Sequence, residues 1–143
     1  MNTCRDVMSP NPVCCLASDN AEQAAQIMKS ENVGSIPVVE SAHSQRLVGI
    51  VTDRDLALNV VANGRRGGEI PVRDVMTTQV YTCNEHDPLE AAFNVMASHQ
   101  VRRIPVVDNA ENVVGIIAQA DLAIRTDSPN RTAQMVEEIS RPT

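Results

Sequence analysis

The sequence predicts an α/β (α+β) fold made of two similar β-α-β-β-α units. The first reason is an internal repeat: the Asp-Val-Met of residues 6–8 returns at residues 74–76, which is 68 positions later. The second reason is that each copy alternates apolar residues at helical spacing with short apolar runs typical of strands. Because the period is long, it indicates a duplicated supersecondary unit and not a short solenoid repeat.

The repeat continues through most of the chain. Residues 33–39 return as residues 101–107, again 68 positions later, and residues 49–57 return as residues 115–123 at a spacing of 66. Two residues deleted in the loop after Ala110 account for the shorter spacing. Residues that the copies share should specify the fold, and residues that differ should specify function.

We divide the chain into a first repeat at 1–62, a linker at 63–71, a second repeat at 72–125 and a C-terminal tail at 126–143. The linker is rich in glycine and charge, as connecting segments often are. Units of about 60 residues are marginally stable alone, so the repeats should share one core. The tail has no repeat partner. Its residues 131–139 allow one or two amphipathic helical turns, and the tail either docks on a second subunit or is mobile.

Each copy begins with a short helical turn that ends in Val-Met, followed by an extended segment at residues 12–16 or 79–83. A helix comes next. Its start has a capping pattern, with Asp19 three residues before Glu22, and residues 87–90 repeat the pattern with proline at the first helical position. One face of each helix should lie in the core because its apolar residues follow i, i+3, i+4, i+7 spacing. These residues are Ala21, Ala24, Ala25 and Met28 in the first copy, and Leu89, Ala92, Phe93 and Met96 in the second.

Two strands follow each of these helices. The first strand is predicted at residues 36–39 or 104–107, and a polar loop separates it from a second strand at residues 47–52 or 113–118, which runs directly into another helix. A helical crossover makes the first two strands of each copy parallel, whereas the short polar loop makes the last two antiparallel.

Composition limits the possible partners. The net charge is −6, which argues against nucleic acid, because proteins that bind a phosphate backbone usually present a basic face. No apolar run has the length of a signal peptide or of a membrane span, so we expect a cytoplasmic protein with no membrane contact. Aromatic residues make up 1% of the chain, so any planar ligand would lie between aliphatic side chains.

The four cysteines do not indicate a metal site. Cys15 and Cys83 occupy the same position in the two copies, on equivalent strands, where a small buried hydrophobic side chain explains them. Cys-x-x-Cys spacing is absent and the histidines do not cluster with the cysteines in sequence. We therefore predict structural thiols and no metal.

Chemistry is most plausible where the last strand of the first copy runs into a helix. Thr52 ends this strand and Asp55 follows one helical turn later. A hydroxyl beside the free N–H groups of a helix start suits a phosphate oxygen, and a carboxylate nearby can accept two hydrogen bonds from a vicinal diol. Phosphate plus ribose is one interpretation. The other is that both are ordinary N-cap residues, which are common at such junctions.

The full pattern resembles a known domain. Asp-Val-Met, an extended strand, a capped helix, Ile-Pro-Val-Val and Gly-x-x-Thr-x-x-Asp follow one another as in the CBS (cystathionine β-synthase) domain, and two in tandem resemble a CBS pair, or Bateman module. The similarity covers residues 5–125. In length and layout the chain is also similar to stand-alone bacterial CBS-pair proteins of the hypoxic response type. The resemblance implies two pseudo-symmetric units packed through their sheets. It also implies two clefts, each built from both copies, that bind AMP, ADP, ATP or S-adenosylmethionine, and a homodimer shaped like a flat disk.

The resemblance assigns the first cleft to a ribose-binding aspartate, a hydroxyl and arginines that bind phosphate, and two valines that flank the base. These residues are Thr52, Arg54, Asp55, Thr78, Val80, Val101, Arg102 and Arg103. The two consecutive guanidiniums supply charge-assisted contacts to a phosphate. The alternatives for Arg102 and Arg103 are a solvated basic pair or an intersubunit salt bridge. The arginines at 65–66, in the linker, are expected to be solvated.

The second cleft keeps the aspartate and loses the other polar groups. Its residues are Pro10, Val13, Val33, Gly34, Ser35, Ala118 and Asp121. Ala118 replaces the threonine, and Gly34 and Ser35 stand where the first cleft has arginines. Each charge-assisted hydrogen bond contributes about 1.5–3 kcal/mol, so we expect this cleft to bind polyphosphates much more weakly.

No catalytic residues are predicted. Thr52 and Asp55 have no adjacent base or metal cluster that would activate a nucleophile. We expect a regulatory module that senses an adenosine nucleotide and signals in trans to a separate, unknown protein, because no enzyme, channel or transporter domain is attached. The alternative is a structural or interaction dimer with little or no ligand binding. A nucleotide hydrolase is a third possibility, which a turnover assay would test.

Overall fold

The structure of the protein is a computed structural model that describes residues 2–125. The predicted tail at 126–143, including its amphipathic segment, lies outside the described residues. Of the described residues, Val13–Val80 form one compact unit, which we call the contiguous unit. Residues 2–12 together with residues 81–125 form the other, which we call the split unit.

The elements follow the predicted order in both repeats. In chain order they are α1 (Cys4–Val7), β1 (Ser9–Pro10), β2 (Cys15–Leu16), α2 (Ala21–Glu31), β3 (Ser35–Ser41), β4 (Ser44–Thr52), α3 (Asp53–Leu56), which continues as a π-helix (Ala57–Val61), two 3₁₀ turns (Gly67–Glu69 and Val72–Asp74), β5 (Cys83–Asn84), α4 (Leu89–His99), β6 (Arg103–Val107), β7 (Val113–Ala118) and α5 (Gln119–Arg125). The segments predicted to be extended at residues 12–16 and 79–83 contain only short strands, which are β2 and β5.

Among the described residues, each unit contains one sheet. In the contiguous unit the order is β2-β3-β4, with β2 and β3 parallel and β3 and β4 antiparallel. In the split unit the order is β1-β7-β6-β5, with β5 and β6 parallel and β6 and β7 antiparallel. The predicted α/β character and the predicted strand directions are confirmed in both repeats.

The two units exchange the opening segments of the repeats. In the split unit β1 lies antiparallel beside β7, with Ser9 opposite Ile116. In the contiguous unit Thr77, which follows the second Asp-Val-Met, forms two backbone hydrogen bonds with Ile50, at 2.8 and 2.9 Å. Each unit is therefore completed by the first residues of the other repeat, and the spatial units cut across both sequence repeats.

A methionine lies across a glycine in each unit and holds the exchanged segment in place. A Cβ atom on Gly49 would lie 2.7 Å from the Met76 Sδ and 2.9 Å from the Thr77 carbonyl oxygen, and one on Gly115 would lie 2.7 Å from the Met8 Cγ. Carbon atoms do not approach so closely without displacement, so only glycine fits under each methionine.

The predicted linker at 63–71 is partly built into the contiguous unit. Ile70 is 2% exposed, and its carbonyl accepts the Ala21 N–H at 2.8 Å. Pro71 forms a β-bridge with Asn20. These contacts place the linker's end against the start of α2.

The predicted helix caps are wrong by one residue. Asn20 is the N-cap of α2 and forms a capping box with Gln23, whereas the Asp19 carboxylate accepts the Leu16 N–H at 2.8 Å and closes the turn before the helix. In the second repeat Pro88 is the N-cap of α4 and not its first helical residue. Asp87 takes the same turn-closing role as Asp19, accepting the Asn84 N–H at 3.0 Å.

Each unit has its own hydrophobic cluster, where we expected one shared core. Each cluster draws on both repeats: Val7 from the first repeat joins the split unit, and Val72 and Val75 from the second join the contiguous unit. The predicted core faces of α2 and α4 are buried except at Ala25, which is exposed. Ala25 corresponds in the repeat to Phe93, which is 5% exposed. A methyl group does not reach the space that a phenyl ring fills.

The cysteines behave as the sequence predicts for buried side chains. Cys15 and Cys83 begin equivalent strands, opposite Val38 and Val106, and are 1% and 4% exposed. No disulfide links the four cysteines, all of which are described. Burial raises the pKa of Cys15 to about 12. A hydrogen bond between the Cys4 and Cys83 thiols raises the pKa of Cys83 and lowers that of Cys4.

Gly115→Ala should lower the free energy of unfolding by about 1–3 kcal/mol, because the added methyl group overpacks against Met8. Met8→Ala removes the atoms that this methyl meets, so the double variant should be more stable than the sum of the single effects by about 0.5–3 kcal/mol. The same pair of substitutions at Gly49 and Met76 should recover less of the lost free energy of unfolding, because the Thr77 carbonyl oxygen stays in place. Urea denaturation measures each value, and strict additivity at Gly115 would contradict the contact.

Stability should fall at alkaline pH. Burial raises the pKa of Cys14 to about 11 and that of Cys15 to about 12, from an ordinary value of 9.0. The folded state therefore favours neutral thiols, and this stabilisation is complete below pH 9 and is lost as the pH rises towards those values. Each thiol should lower the free energy of unfolding by about 1.4 kcal/mol per pH unit in this window. Denaturation at several pH values measures the effect for the wild type and for the Cys14→Ala, Cys15→Ala double variant. If the free energy of unfolding falls with pH at the same slope in both proteins, the prediction is contradicted.

Candidate functional site

The Thr52–Asp55 junction forms a capping box at the start of α3. The Thr52 Oγ1 accepts the Asp55 N–H at 3.0 Å, and the Asp55 Oδ2 accepts the Thr52 N–H at 3.0 Å. Thr52 is therefore the N-cap of α3, and Asp55 is the N3 residue of its capping box. The cap uses the hydroxyl as an acceptor only, so its proton can still be donated to a ligand.

Asp55 keeps a second oxygen for other partners. Its Oδ2 accepts the cap bond and also a bond from the Thr77 hydroxyl at 3.5 Å. Within the described residues the Oδ1 has no hydrogen-bond donor. Asp55 is half-buried and the capping box holds its carboxylate, which leaves the Oδ1 as an acceptor for a diol.

Thr77 belongs to this site and was missed by the sequence analysis. The backbone bridge to Ile50 places it beside β4, and its hydroxyl then reaches Asp55. Its only sequence signal is that it follows the second Asp-Val-Met directly. Its predicted neighbours on the same segment, Thr78 and Val80, are exposed and half-buried respectively, and in the described part of the chain no hydrogen bond links Thr78 to Asp55.

The adjoining end of β3 brings Gly34 to the same junction. The Gly34 carbonyl accepts the Asp53 N–H at 2.9 Å, and a Cβ on Gly34 would lie 3.1 Å from the Asp53 Oδ2. Ser35 lies opposite Thr52 in the sheet. The exposed Arg54 guanidinium has no ion pair among the described residues, so it is the cation that this junction offers to an anion.

The equivalent junction in the split unit is half of a capping box. The Asp121 carboxylate accepts the Ala118 N–H at 3.0 Å, as Asp55 does for Thr52, but no hydroxyl accepts the Asp121 N–H. The Arg102 carbonyl accepts the Gln119 N–H at 2.8 Å, and Arg103 lies opposite Ala118. Within this unit the two arginines therefore adjoin the second motif.

The remaining predicted residues lie at the ends of strands and helices in their own units. Pro10 is exposed on β1 opposite Gly115, and Val13 is 48% exposed. Val33 is half-buried after α2, where its N–H bonds to the Met28 carbonyl at 3.0 Å. Val101 is also half-buried. The predicted assignment of these residues and of Arg102 and Arg103 to two clefts stays a prediction.

In residues 2–125, no three His, Cys, Asp or Glu side chains lie together as metal ligands would. None of the helices described has both the length and the apolar character needed to cross a membrane.

Known proteins match the chain along nearly its whole length. The family model of the CBS domain matches it twice, over residues 4–62 and 72–125. The CBS domain-containing protein YhcV of Bacillus subtilis is 40% identical over 140 residues, which cover 98% of this chain and 96% of YhcV. Hypoxic response protein 1 of Mycobacterium tuberculosis is 30% identical over 142 residues, covering 99% of this chain and 96% of the relative.

Solved structures share the fold. A crystal structure of Hypoxic Response Protein I, with two coordinated zinc ions, superimposes with a TM-score of 0.77 at 30% identity, covering 88% of this chain and 100% of that one. The CBS domain pair of protein MJ0100, in complex with 5′-methylthioadenosine and S-adenosyl-L-methionine, superimposes with a TM-score of 0.73 at 27% identity, covering 87% of this chain and 94% of that one.

The two junctions allow a matched test of the cap. Thr52→Ala should lower the free energy of unfolding by about 0.5–2 kcal/mol, because the Asp55 N–H loses its acceptor. Ala118→Thr should raise it by a similar amount, about 1 kcal/mol, because the new hydroxyl would accept the Asp121 N–H as the Thr52 hydroxyl accepts that of Asp55. Thermal and urea denaturation give both values. Loss of stability in Ala118→Thr would show that the second junction has no room for the hydroxyl.

Proposed function

Because this chain belongs to the CBS domain family, we propose that it is a regulatory module that binds an adenosine-containing ligand and signals its presence to a separate protein. The proposed ligands are AMP, ADP, ATP and S-adenosylmethionine. The observation that carries the proposal is the Thr52, Asp55 and Thr77 cluster, in which the Asp55 Oδ1 remains available. The adenosine ligands bound by the MJ0100 pair support the choice of ligand class.

The junction offers each part of a nucleoside a matching group. The ribose diol donates to the Asp55 Oδ1, which the capping box holds in place. The Thr52 hydroxyl donates to a phosphate oxygen, and Arg54 adds a positive charge. Because Asp53 and Asp55 are both carboxylates, the junction by itself favours a ligand with little negative charge. A polyphosphate needs further cations, which the family resemblance assigns to Arg102 and Arg103.

The junction at Asp121 is the weaker candidate. It retains a carboxylate, held by the Ala118 N–H, but has no hydroxyl to donate to a phosphate. We propose that it binds adenosine ligands weakly or not at all. One nucleotide per chain should therefore dominate in a titration.

We propose further that the protein is not an enzyme, acts in the cytoplasm and forms a homodimer. The protein that it signals to is a separate chain. A ligand shifts the equilibrium between two conformations of the protein only if it binds them with different affinities. The partner protein must in turn distinguish these two conformations.

A second candidate function is a structural or interaction dimer with little ligand binding. The observation in its favour is that the capping box already accounts for both Thr52 and Asp55. The two candidates differ in one measurable property, the affinity for adenosine ligands.

Asp55→Asn should weaken binding of AMP or S-adenosylmethionine about 10–100-fold, because a neutral amide is a poorer acceptor for the ribose than a carboxylate. Asparagine keeps an oxygen for the Thr52 N–H, so the cap is preserved. Asp121→Asn is the matched control and should change binding little. Isothermal titration calorimetry measures all three proteins. If neither ligand binds the wild type, the interaction-dimer function is favoured.

The same titration tests the phosphate assignment. Replacing Arg102 and Arg103 with glutamine should weaken AMP much more than adenosine, because only AMP carries the charge that the guanidiniums would bind. Equal losses for the two ligands would remove the arginines from the phosphate site. Incubation with ATP should give no hydrolysis products by chromatography.

A further inference from the structure

Cys4 and Cys83 bring two thiols into contact inside the split unit. Cys4 lies on α1 and Cys83 begins β5, and the two residues are 0% and 4% exposed. The thiols share a hydrogen bond, and the Cys4 Sγ also donates to the Pro88 carbonyl oxygen at 3.8 Å. In the sequence repeat Cys83 corresponds to Cys15, and Cys4 has no cysteine counterpart. The fold therefore creates a pair of thiols that the sequence spacing does not indicate.

The contiguous unit has the same two positions but only one thiol. Val72 corresponds to Cys4 in the repeat, as Cys15 corresponds to Cys83. Val72 is 0% exposed, and it belongs to the same hydrophobic cluster as Cys15. The two units therefore differ in whether the buried cysteine of the first parallel strand has a second thiol in its cluster.

The backbone holds position 4 and position 72 in the same way. The Cys4 N–H donates to the Asp87 carbonyl at 2.9 Å, and the Val72 N–H donates to the Asp19 carbonyl at 2.7 Å. Asp87 and Asp19 correspond in the repeat, and each closes the turn before its helix. Valine fills this buried place in the contiguous unit, so packing alone does not require a thiol at position 4.

The hydrogen bond makes the two thiols chemically unequal. It lowers the pKa of Cys4 and raises the pKa of Cys83, while burial and the Asp87 carboxylate oppose the lowering at Cys4. The thiolate is the form of cysteine that attacks a disulfide. Cys4 is therefore the thiol suited to attack first, and Cys83 lies in contact with it, where a second attack can follow.

We propose that Cys4 and Cys83 are a redox-active pair that low-molecular-weight disulfides oxidise reversibly to an intramolecular disulfide. The Cys4 thiolate attacks one sulfur of the small disulfide, which leaves a mixed disulfide on Cys4 and releases one small thiolate. That thiolate takes the proton of Cys83, and the Cys83 thiolate then attacks the Cys4 sulfur and releases the second small thiolate, which takes the proton that Cys4 lost. Two protein thiols are oxidised and the small disulfide is reduced to two thiols. The proposal does not depend on nucleotide binding.

The segment at residues 2–10 has to open before a small disulfide reaches the buried Cys4. Its strand β1 is two residues long, exposed, and at the edge of its sheet beside β7. Short edge elements of this kind open at a lower free energy than the core. The new disulfide would join residues 2–12 to residues 81–125, which are the two parts of the split unit. Oxidation would therefore fix the opening segment of the first repeat in its closed position.

Glutathione disulfide is the probe for the first test. The full chain is incubated, without denaturant, at rising ratios of glutathione disulfide to glutathione, and its free thiols are alkylated before digestion and mass spectrometry. We expect a peptide that links Cys4 to Cys83 and that dithiothreitol separates. The oxidised protein should melt about 5–15 °C higher, because the link constrains the unfolded chain. Absence of the linked peptide at every ratio would show that the thiols are only structural and would overturn the proposal, as would a link to Cys14 or Cys15 instead.

Variants of each thiol test the order of attack. Cys4→Val copies the residue of the other repeat, so it should fold and should melt at the same temperature in oxidising and reducing buffer. Cys83→Ala should trap the mixed disulfide with glutathione on Cys4. Cys14→Ala is the control and should oxidise as the wild type does. A mixed disulfide that forms on Cys83 in Cys4→Val, and not on Cys4 in Cys83→Ala, would overturn the assignment of Cys4 as the attacking thiol.

Discussion

The contact on which both units depend is a methionine side chain that lies across a glycine of the neighbouring strand. Met8 on Gly115 closes the split unit, and Met76 on Gly49 closes the contiguous unit. Each contact joins residues of different repeats, so it ties the opening segment of one repeat to the sheet of the other. Asp-Val-Met and the glycine of this strand therefore occur together in both copies because they are the two sides of one contact.

The same contact positions the candidate site. Thr77 follows Met76 directly, and Thr52 lies three residues after Gly49 on β4. Seating the methionine on the glycine brings these two segments together, which places the Thr77 hydroxyl 3.5 Å from the Asp55 carboxylate. A packing constraint in the sheet thus determines which polar groups surround the ribose-binding candidate.

Local patterns predicted the elements of the fold well. Strand directions, helices and the buried cysteines were correct, because spacing and loop length act on neighbouring residues. The exchange of opening segments was not predicted, since the pairing of Ser9 with Ile116 has no local signal. The cap of α2 was misplaced because Asp19 and Asn20 are both good capping residues, and the preceding turn uses Asp19.

The candidate site was predictable in part. A hydroxyl and a carboxylate at this spacing serve a capping box and a nucleotide equally well, so sequence alone does not separate the two uses. The structure adds that, among the described residues, the hydrogen-bond donors to Asp55 use its Oδ2 and leave the Oδ1. Helical spacing also did not predict the exposure of Ala25, because spacing indicates the direction of a side chain and not its length.

The exchange of segments also determines when the residues of each unit become available during synthesis. The contiguous unit is one uninterrupted stretch, so all of its residues are present once residue 80 has left the ribosome. The segment at residues 2–10, although made before the contiguous unit, has partners on β7 and near the start of α4, later in the chain. At about 5–20 residues per second, Val7 and Met8 wait for several seconds with no strand to pair with. The residues of the contiguous unit are therefore all present several seconds before the N-terminal segment has its partners.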